Sequence, residues 1–179
     1  MFQDDCIPGF AMKRLILMRH AKSSWSEPGL EDHERPLNAR GRRACGLIAD
    51  WMVRNGYRAD LALVSSARRT QETWALIAGA MPGAEARSLP ELYHATPRTM
   101  LACLAAAPDV AHVLMLGHQP GIGEFARMIL ADPPDDQSYR KYPTAAVAVM
   151  DFDSPSWSEI RWGDGALTDF IVPKRLDAD

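Results

Sequence analysis

Two histidines in this 179-residue sequence occupy matching places, each just past a short, unbroken apolar run. Arg19-His20 follows Leu15-Ile16-Leu17-Met18, and Gly117-His118-Gln119-Pro120 follows Val113-Leu114-Met115-Leu116. A third run, Leu61-Ala62-Leu63-Val64, leads into Ser65-Ser66 and then Arg69. An imidazole lone pair can attack phosphorus, and the planar guanidinium of arginine donates to two phosphate oxygens at once. Phosphoryl transfer asks little more than such a positioned nucleophile and charge to stabilise the equatorial oxygens. Arg19 and Arg69 near His20 would also keep its ring neutral by like-charge repulsion, preserving the lone pair. Singly, an Arg-His dipeptide, a helix-face arginine and a Gly-His turn are ordinary features. Their joint placement points to phosphoryl chemistry.

For these residues to meet, the apolar runs must lie side by side, and unbroken runs of this kind suit parallel strands buried on both faces. Between the first two, Ala44, Leu47, Ile48, Trp51 and Met52 recur at helical spacing, with Asn38 as N-cap and Gly56 as stop. The stretch after Ser66 reads as a helix to Ala80, ended by Pro82-Gly83, with Arg69 on its first turns. Leu89-Pro90-Glu91-Leu92 closes a short extended piece; Thr96-Pro97 starts a helix to about Ala106, and another helix spans Pro120 to about Ala131. Ala131 to Lys141 reads as a polar loop, and Ala145–Phe152 with Trp157–Trp162 as a strand pair joined by Asp153-Ser154-Pro155-Ser156. No internal repeat is visible. The alternation predicts an α/β protein, a three-layer α/β/α sandwich on a mostly parallel sheet, with ligand bound beyond the carboxyl ends of the strands.

Composition narrows the function classes. At 47% hydrophobic, the chain can bury one substantial core, so a single domain is expected over 12–179, preceded by an extension at 1–11. Residues 1–11 show no period, and Met12-Lys13-Arg14 abuts the first strand, which makes Met12 the expected natural start. A net charge of -3 and a pI near 5.9 provide no global positive field for nucleic acid or an anionic membrane. Asp4 and Asp5 stand where a secretory signal would carry positive charge, and no apolar run approaches the length of a membrane span. Cys6, Cys45 and Cys103 form no C-x-x-C pair, and a reducing cytoplasm fits them best.

No metal and no other cofactor is expected. The five histidines include no H-E-x-x-H pattern, and the acid pairs Asp4-Asp5 and Asp135-Asp136 lie in polar contexts. Cysteine-based phosphatase chemistry needs an arginine shortly after the thiolate, which Cys45 and Cys103 lack, and Gly121-Ile122-Gly123 lacks the rest of a nucleotide-binding fingerprint.

Four ordered motifs resemble a known family. Leu17-Met18-Arg19-His20-Ala21, Arg35-Pro36-Leu37-Asn38 with Gly41, Ser65 through Thr73, and Gly117-His118-Gln119-Pro120 are similar to those of the histidine phosphatase, or phosphoglycerate-mutase-like, superfamily, and within it the small SixA-like phosphohistidine phosphatases. The resemblance implies that fold with a short cap, His20 as phosphorylated nucleophile, Arg19 and Arg69 as phosphate clamps, and His118 as a further donor. The position four after Ser65 selects Arg69 over Arg68. Ala21, Ser66, Thr70 and Glu72 depart from the commoner glycine, proline, alanine and glutamine, and none removes a clamp group. Larger relatives place a general acid near Glu91, which makes Glu91 the candidate acid and Asp32 the runner-up. Ser65 and Lys22 are candidate phosphate-binding residues.

The interval from Arg69 to His118 is mostly filled by the expected elements, leaving little chain for a lid. An open pocket admits a phosphorylated side chain of a protein, such as that of a histidine-containing phosphotransfer domain, more readily than it encloses a small phosphate ester. A small-molecule phosphomonoesterase or mutase is the alternative within the fold, and a non-catalytic phosphate-binding module the alternative outside it. Lys22-Ser23-Ser24-Trp25 and the acidic loop after it could cover part of the pocket.

Overall fold

The computed structural model describes residues 12–177, so the expected extension at 1–11 lies outside the described residues. Six strands, β1 (Lys13–Arg19), β2 (Leu61–Ser65), β3 (Glu85–Leu89), β4 (His112–Gly117), β5 (Val147–Phe152) and β6 (Ala166–Ile171), form one sheet in the order β3-β2-β4-β1-β5-β6. The first four pair in parallel, while β5 runs antiparallel to both β1 and β6.

Strand alternation divides the core into two layers. Leu15 and Leu17 face one side with Met115, and Ile16 and Met18 face the other with Leu114 and Leu116. Helices α1 (Ala39–Arg54) and α2 (Arg68–Ile77) cover the second side through Ile48, Trp51, Met52 and Ile77. Helices α3 (Pro97–Ala105), α4 (Gly121–Met128) and α5 (Gln137–Lys141) cover the first through Met100, Leu104, Phe125 and Tyr139. Each fully buried side chain of this size contributes roughly 1.5–3 kcal/mol. A last turn, α6 (Pro173–Leu176), packs against α1. Among the described residues no helix is long and apolar enough to cross a membrane.

The caps read from sequence are made. The Asn38 side chain accepts from the Gly41 N–H, Thr96 accepts from the Thr99 N–H, and Gly56 adopts a left-handed turn with φ +68°. Three expectations need correction. Pro90–Leu92 is a 3-10 turn after β3, not part of an extended piece. The segment 131–141 holds α5, capped by Asp136 and anchored by the buried Tyr139. The strand paired with β5 is β6, because Trp157 instead starts a 3-10 turn and sinks into the core with its indole N–H on the Val110 carbonyl (2.8 Å).

Candidate active site

Strands β2, β4 and β1 are neighbours, so the residues at their carboxyl ends are brought together by the order of the sheet. His20 leaves β1 with its N–H donating to the Gly117 carbonyl at the end of β4 (3.1 Å). The two imidazole rings, His20 and His118, lie 5.1 Å apart. Ser65 ends β2, and its hydroxyl is 2.7 Å from His118 Nε2. Arg69 enters from the first turn of α2, which Thr70 fastens to β2 by donating to the Ser65 carbonyl (2.8 Å). Thr73, one turn on, donates to the Arg69 carbonyl (2.6 Å) and accepts from the Ala21 N–H (3.1 Å), tying the helix to the His20 loop.

The loop before β5 wraps the end of β1. Arg19 N–H donates to the Ala146 carbonyl and Ala145 N–H to the His20 carbonyl, both at 3.1 Å, and Arg19 Nη1 donates to the Tyr142 carbonyl (3.0 Å). Tyr142 and Ala145 have φ of 42° and 59°, a conformation that costs a side-chain-bearing residue on the order of 1 kcal/mol. The fully buried Tyr142 ring, whose hydroxyl donates to the Leu17 carbonyl (2.8 Å), holds the loop there.

Hydrogen bonding sets the state of both imidazoles. His20 Nδ1 is 2.7 Å from the Ala21 carbonyl, which can only accept, so the ring hydrogen sits on Nδ1 and the lone pair on Nε2. Burial, reinforced by the charges of Arg19, Arg69 and Arg35, pushes His20 down to about 3 against the opposing effect of the Ala21 hydrogen bond. Burial and the neighbouring His20, Arg69 and His94 push His118 down to about 2. The Ser65 hydroxyl accepts from the Ala67 N–H (3.5 Å), and giving its own proton to His118 Nε2 would leave Nδ1–H as that ring's donor. His118 Nδ1 and Arg19 Nε are buried with no hydrogen-bond partner among the described residues. An anion's oxygens would satisfy two such donors.

Asp32, at the start of a 3-10 turn, is the carboxylate among these cations. It accepts from Arg35 (2.8 Å), Arg69 (3.0 Å) and the Tyr93 hydroxyl (2.7 Å), and its backbone carbonyl accepts from Arg69 Nη1 (2.6 Å). Burial alone would raise its pKa, but the hydrogen bonds from Tyr93, Arg35 and Arg69 outweigh it and hold the carboxyl well below the usual range. His94, with φ 51°, adds its ring 3.4 Å from the same carboxylate and 5.7 Å, centre to centre, from His118.

The structure thus brings Arg19, His20, Ser65, Arg69 and His118 together. It separates two other candidates from them. Glu91 is exposed on its 3-10 turn and lines a different depression with Leu63, Leu89, Thr99 and Cys103, because buried Leu92 takes the inward position beside it. The carboxyl at the clamp is Asp32. Lys22 is exposed, and its side chain lines a groove beside α1 instead of bonding to the cluster. Sequence reasoning missed Tyr93, His94 and Thr73; the first two directly follow Leu92, where the extended piece was expected to end.

Residues 15–96 match the family model of the histidine phosphatase superfamily (branch 1). An uncharacterized Mycobacterium tuberculosis protein is 33% identical over 88% of this chain and 100% of its own length. The SixA structure from Agrobacterium tumefaciens is 30% identical, covering 90% of this chain and 98% of that one, with a TM-score of 0.74. SixA from Nakamurella multipartitia is 27% identical, covering 90% and 96%, with a TM-score of 0.75. The shared sequence runs through His20 and Arg69, and the fold carries His118 to meet them: the chain belongs to the histidine phosphatase superfamily and is a phosphatase.

Proposed function

We propose that this phosphatase works without a metal through a phosphohistidine intermediate on His20, and that its substrate is a phosphorylated side chain of another protein, phosphohistidine above all. Nε2 of His20 attacks phosphorus in line while Arg19, Arg69 and His118 Nδ1–H stabilise the equatorial oxygens. The bond from phosphorus to the leaving atom breaks with its electron pair on that atom. Water then attacks the phosphoryl group on His20, releasing inorganic phosphate and restoring the neutral ring.

The observation that carries the choice of substrate is the state of Asp32. A carboxylate held ionised by Arg69, Arg35 and Tyr93 has no proton to give, so an alkoxide leaving group goes unassisted. A phosphohistidine ring whose distal nitrogen is protonated departs as neutral imidazole and needs no acid at the leaving atom. The half-exposed Asp32 and exposed His94 leave that side of the pocket open, which suits a side chain projecting from a protein. The two SixA structures are both named as candidate phosphohistidine phosphatases, in line with this reading. A reducing cytoplasm is the proposed compartment, in keeping with the free thiols of Cys45 and Cys103.

The test compares a phosphohistidine protein, a phosphoserine peptide and small phosphate esters with chelator present, and traps the intermediate by rapid quench with labelled substrate. Label is expected on His20, with phosphohistidine turned over fastest and all turnover abolished in His20→Ala. Label elsewhere, or activity surviving in His20→Ala, would remove the nucleophile. Preference for a small ester would remove the protein substrate, and loss of activity with chelator the metal independence.

A further inference from the structure

Beside the phosphate pocket lies a groove that the chemistry does not use. Two adjoining depressions, about 420 and 220 Å³, share Arg40, Ala44, Pro173 and Lys174. The near end is formed by Lys22 and Thr144, and both belong to the loops that fix the nucleophile: Lys22 is two residues past His20, and Thr144 precedes the Ala145 N–H that binds the His20 carbonyl. The far end is formed by Arg43 and Asp177, which pair with each other.

The groove gathers positive charge in a chain whose net charge is -3. Of its cations, Lys22, Arg40 and Lys174 make no ion pair among the described residues. Arg40, Arg42 and Arg43 crowd the start of α1 with no acid in its first turn, although the partial positive charge of a helix N-terminus favours acids there. Arg42 pairs with Glu72 and Arg43 with Asp177, which leaves Arg40 as the uncompensated charge of that turn, and a local rule broken in this way is what a functional surface looks like. Between the cations the floor is apolar, from Ala44, Leu47, Val172 and Pro173.

We propose that this groove docks an acidic segment of the phosphoprotein whose phosphoryl group enters the pocket, a proposal that rests on the phosphoprotein reading above. A polypeptide carrying carboxylates and apolar side chains matches both the cations and the floor. A nucleic acid would need a longer cationic track to follow its regular phosphates, and the acidic whole of the molecule would repel it.

The probes are a phosphohistidine peptide flanked by aspartate and glutamate, a twin flanked by asparagine and glutamine, and fluorescent unphosphorylated forms of both. The variant is Arg40→Glu with Lys174→Glu, neither of which bonds to the clamp residues, so p-nitrophenyl phosphate hydrolysis should be unchanged. Wild type is expected to turn over the acidic peptide with kcat/KM on the order of tenfold above its twin at low salt, and to lose that preference at high salt. The variant should lose it at any salt, and should bind the unphosphorylated acidic peptide on the order of tenfold more weakly by anisotropy. Equal binding of the two unphosphorylated peptides by wild type, or undiminished binding of the acidic one by the variant, overturns the groove. So does tighter capture of a single-stranded oligonucleotide through the same side chains. Hydrolysis of p-nitrophenyl phosphate with no turnover of either phosphopeptide would instead overturn the phosphoprotein reading, while anisotropy still decides the groove.

Discussion

The Asp32 carboxylate takes one N–H donor of Arg69 and its backbone carbonyl a second, so the same guanidinium keeps donors for a phosphoryl oxygen while Asp32 holds it in place. Asp32→Asn removes the charge that orients Arg69 and Arg35, and should lower kcat on the order of a hundredfold for aryl and alkyl esters alike. A loss confined to alkyl esters, measured by parallel kinetics, would show instead that Asp32 donates a proton. The imidazoles make a separate prediction. With His20 near 3 and His118 near 2 in the folded protein, against an ordinary 6.5, the unfolded chain binds the extra protons between those values. Their contribution to stability is therefore fully present above about pH 6.5 and shrinks on acidification. Urea midpoints should decline from about pH 7 to about pH 4, and less steeply in the double variant His20→Gln with His118→Gln. A flat wild-type profile would contradict the burial of both rings. Arg19, His20, Ser65 and His118 were legible because each follows, directly or after one residue, an apolar run that reads as a buried strand, whereas Arg69 was singled out from Arg68 by the family resemblance. The grip of Asp32 on Arg69 was not legible, because the pair is separated by 37 positions and nothing local in either segment encodes it.

Helix α1 sits against the His20 loop because Gly41 has no side chain. A Cβ there would lie 2.2 Å from the Lys22 carbonyl oxygen, which already accepts from the Asn38 N–H (3.0 Å). Gly41→Ala should therefore cost about 1–3 kcal/mol in urea unfolding and lower activity as well, since the displaced backbone leads directly to His20. An alanine variant equal to wild type in both measurements would show that helix and loop are not coupled. Elements such as α1, β2 and β4 could be read from sequence because long helical periodicity or an unbroken apolar run leaves one interpretation. Helix α5 could not, since five residues, mostly polar, give no period, and only the Asp136 cap and Tyr139 mark it. Strand β6 was hidden for a related reason: as an edge strand it buries little, so Ala166–Ile171 carries a weak pattern, while Trp157 and Trp162 nearby offer a louder, misleading one.

Across the whole molecule, the sheet order places β1, the strand that leads into His20, away from both edges. Leu15 on β1 faces Val113 of β4 on one side and Met150 of β5 on the other, and the same double bracing continues to Met18. Such a strand cannot open without the sheet coming apart, whereas edge strand β6 and the short α6 can fray alone. Amide hydrogens of Leu15–Met18 should thus exchange with deuterium only at the rate of global unfolding, and mass spectrometry of the labelled peptides would read this directly. Faster exchange at β1 than at β4 would show a sub-global opening at the nucleophile. The same bracing governs how the enzyme dies: nicking or unravelling at the β6 margin should leave turnover of p-nitrophenyl phosphate intact, and heat inactivation toward that ester should superimpose on the loss of the sheet as one curve, with no dormant folded form in between.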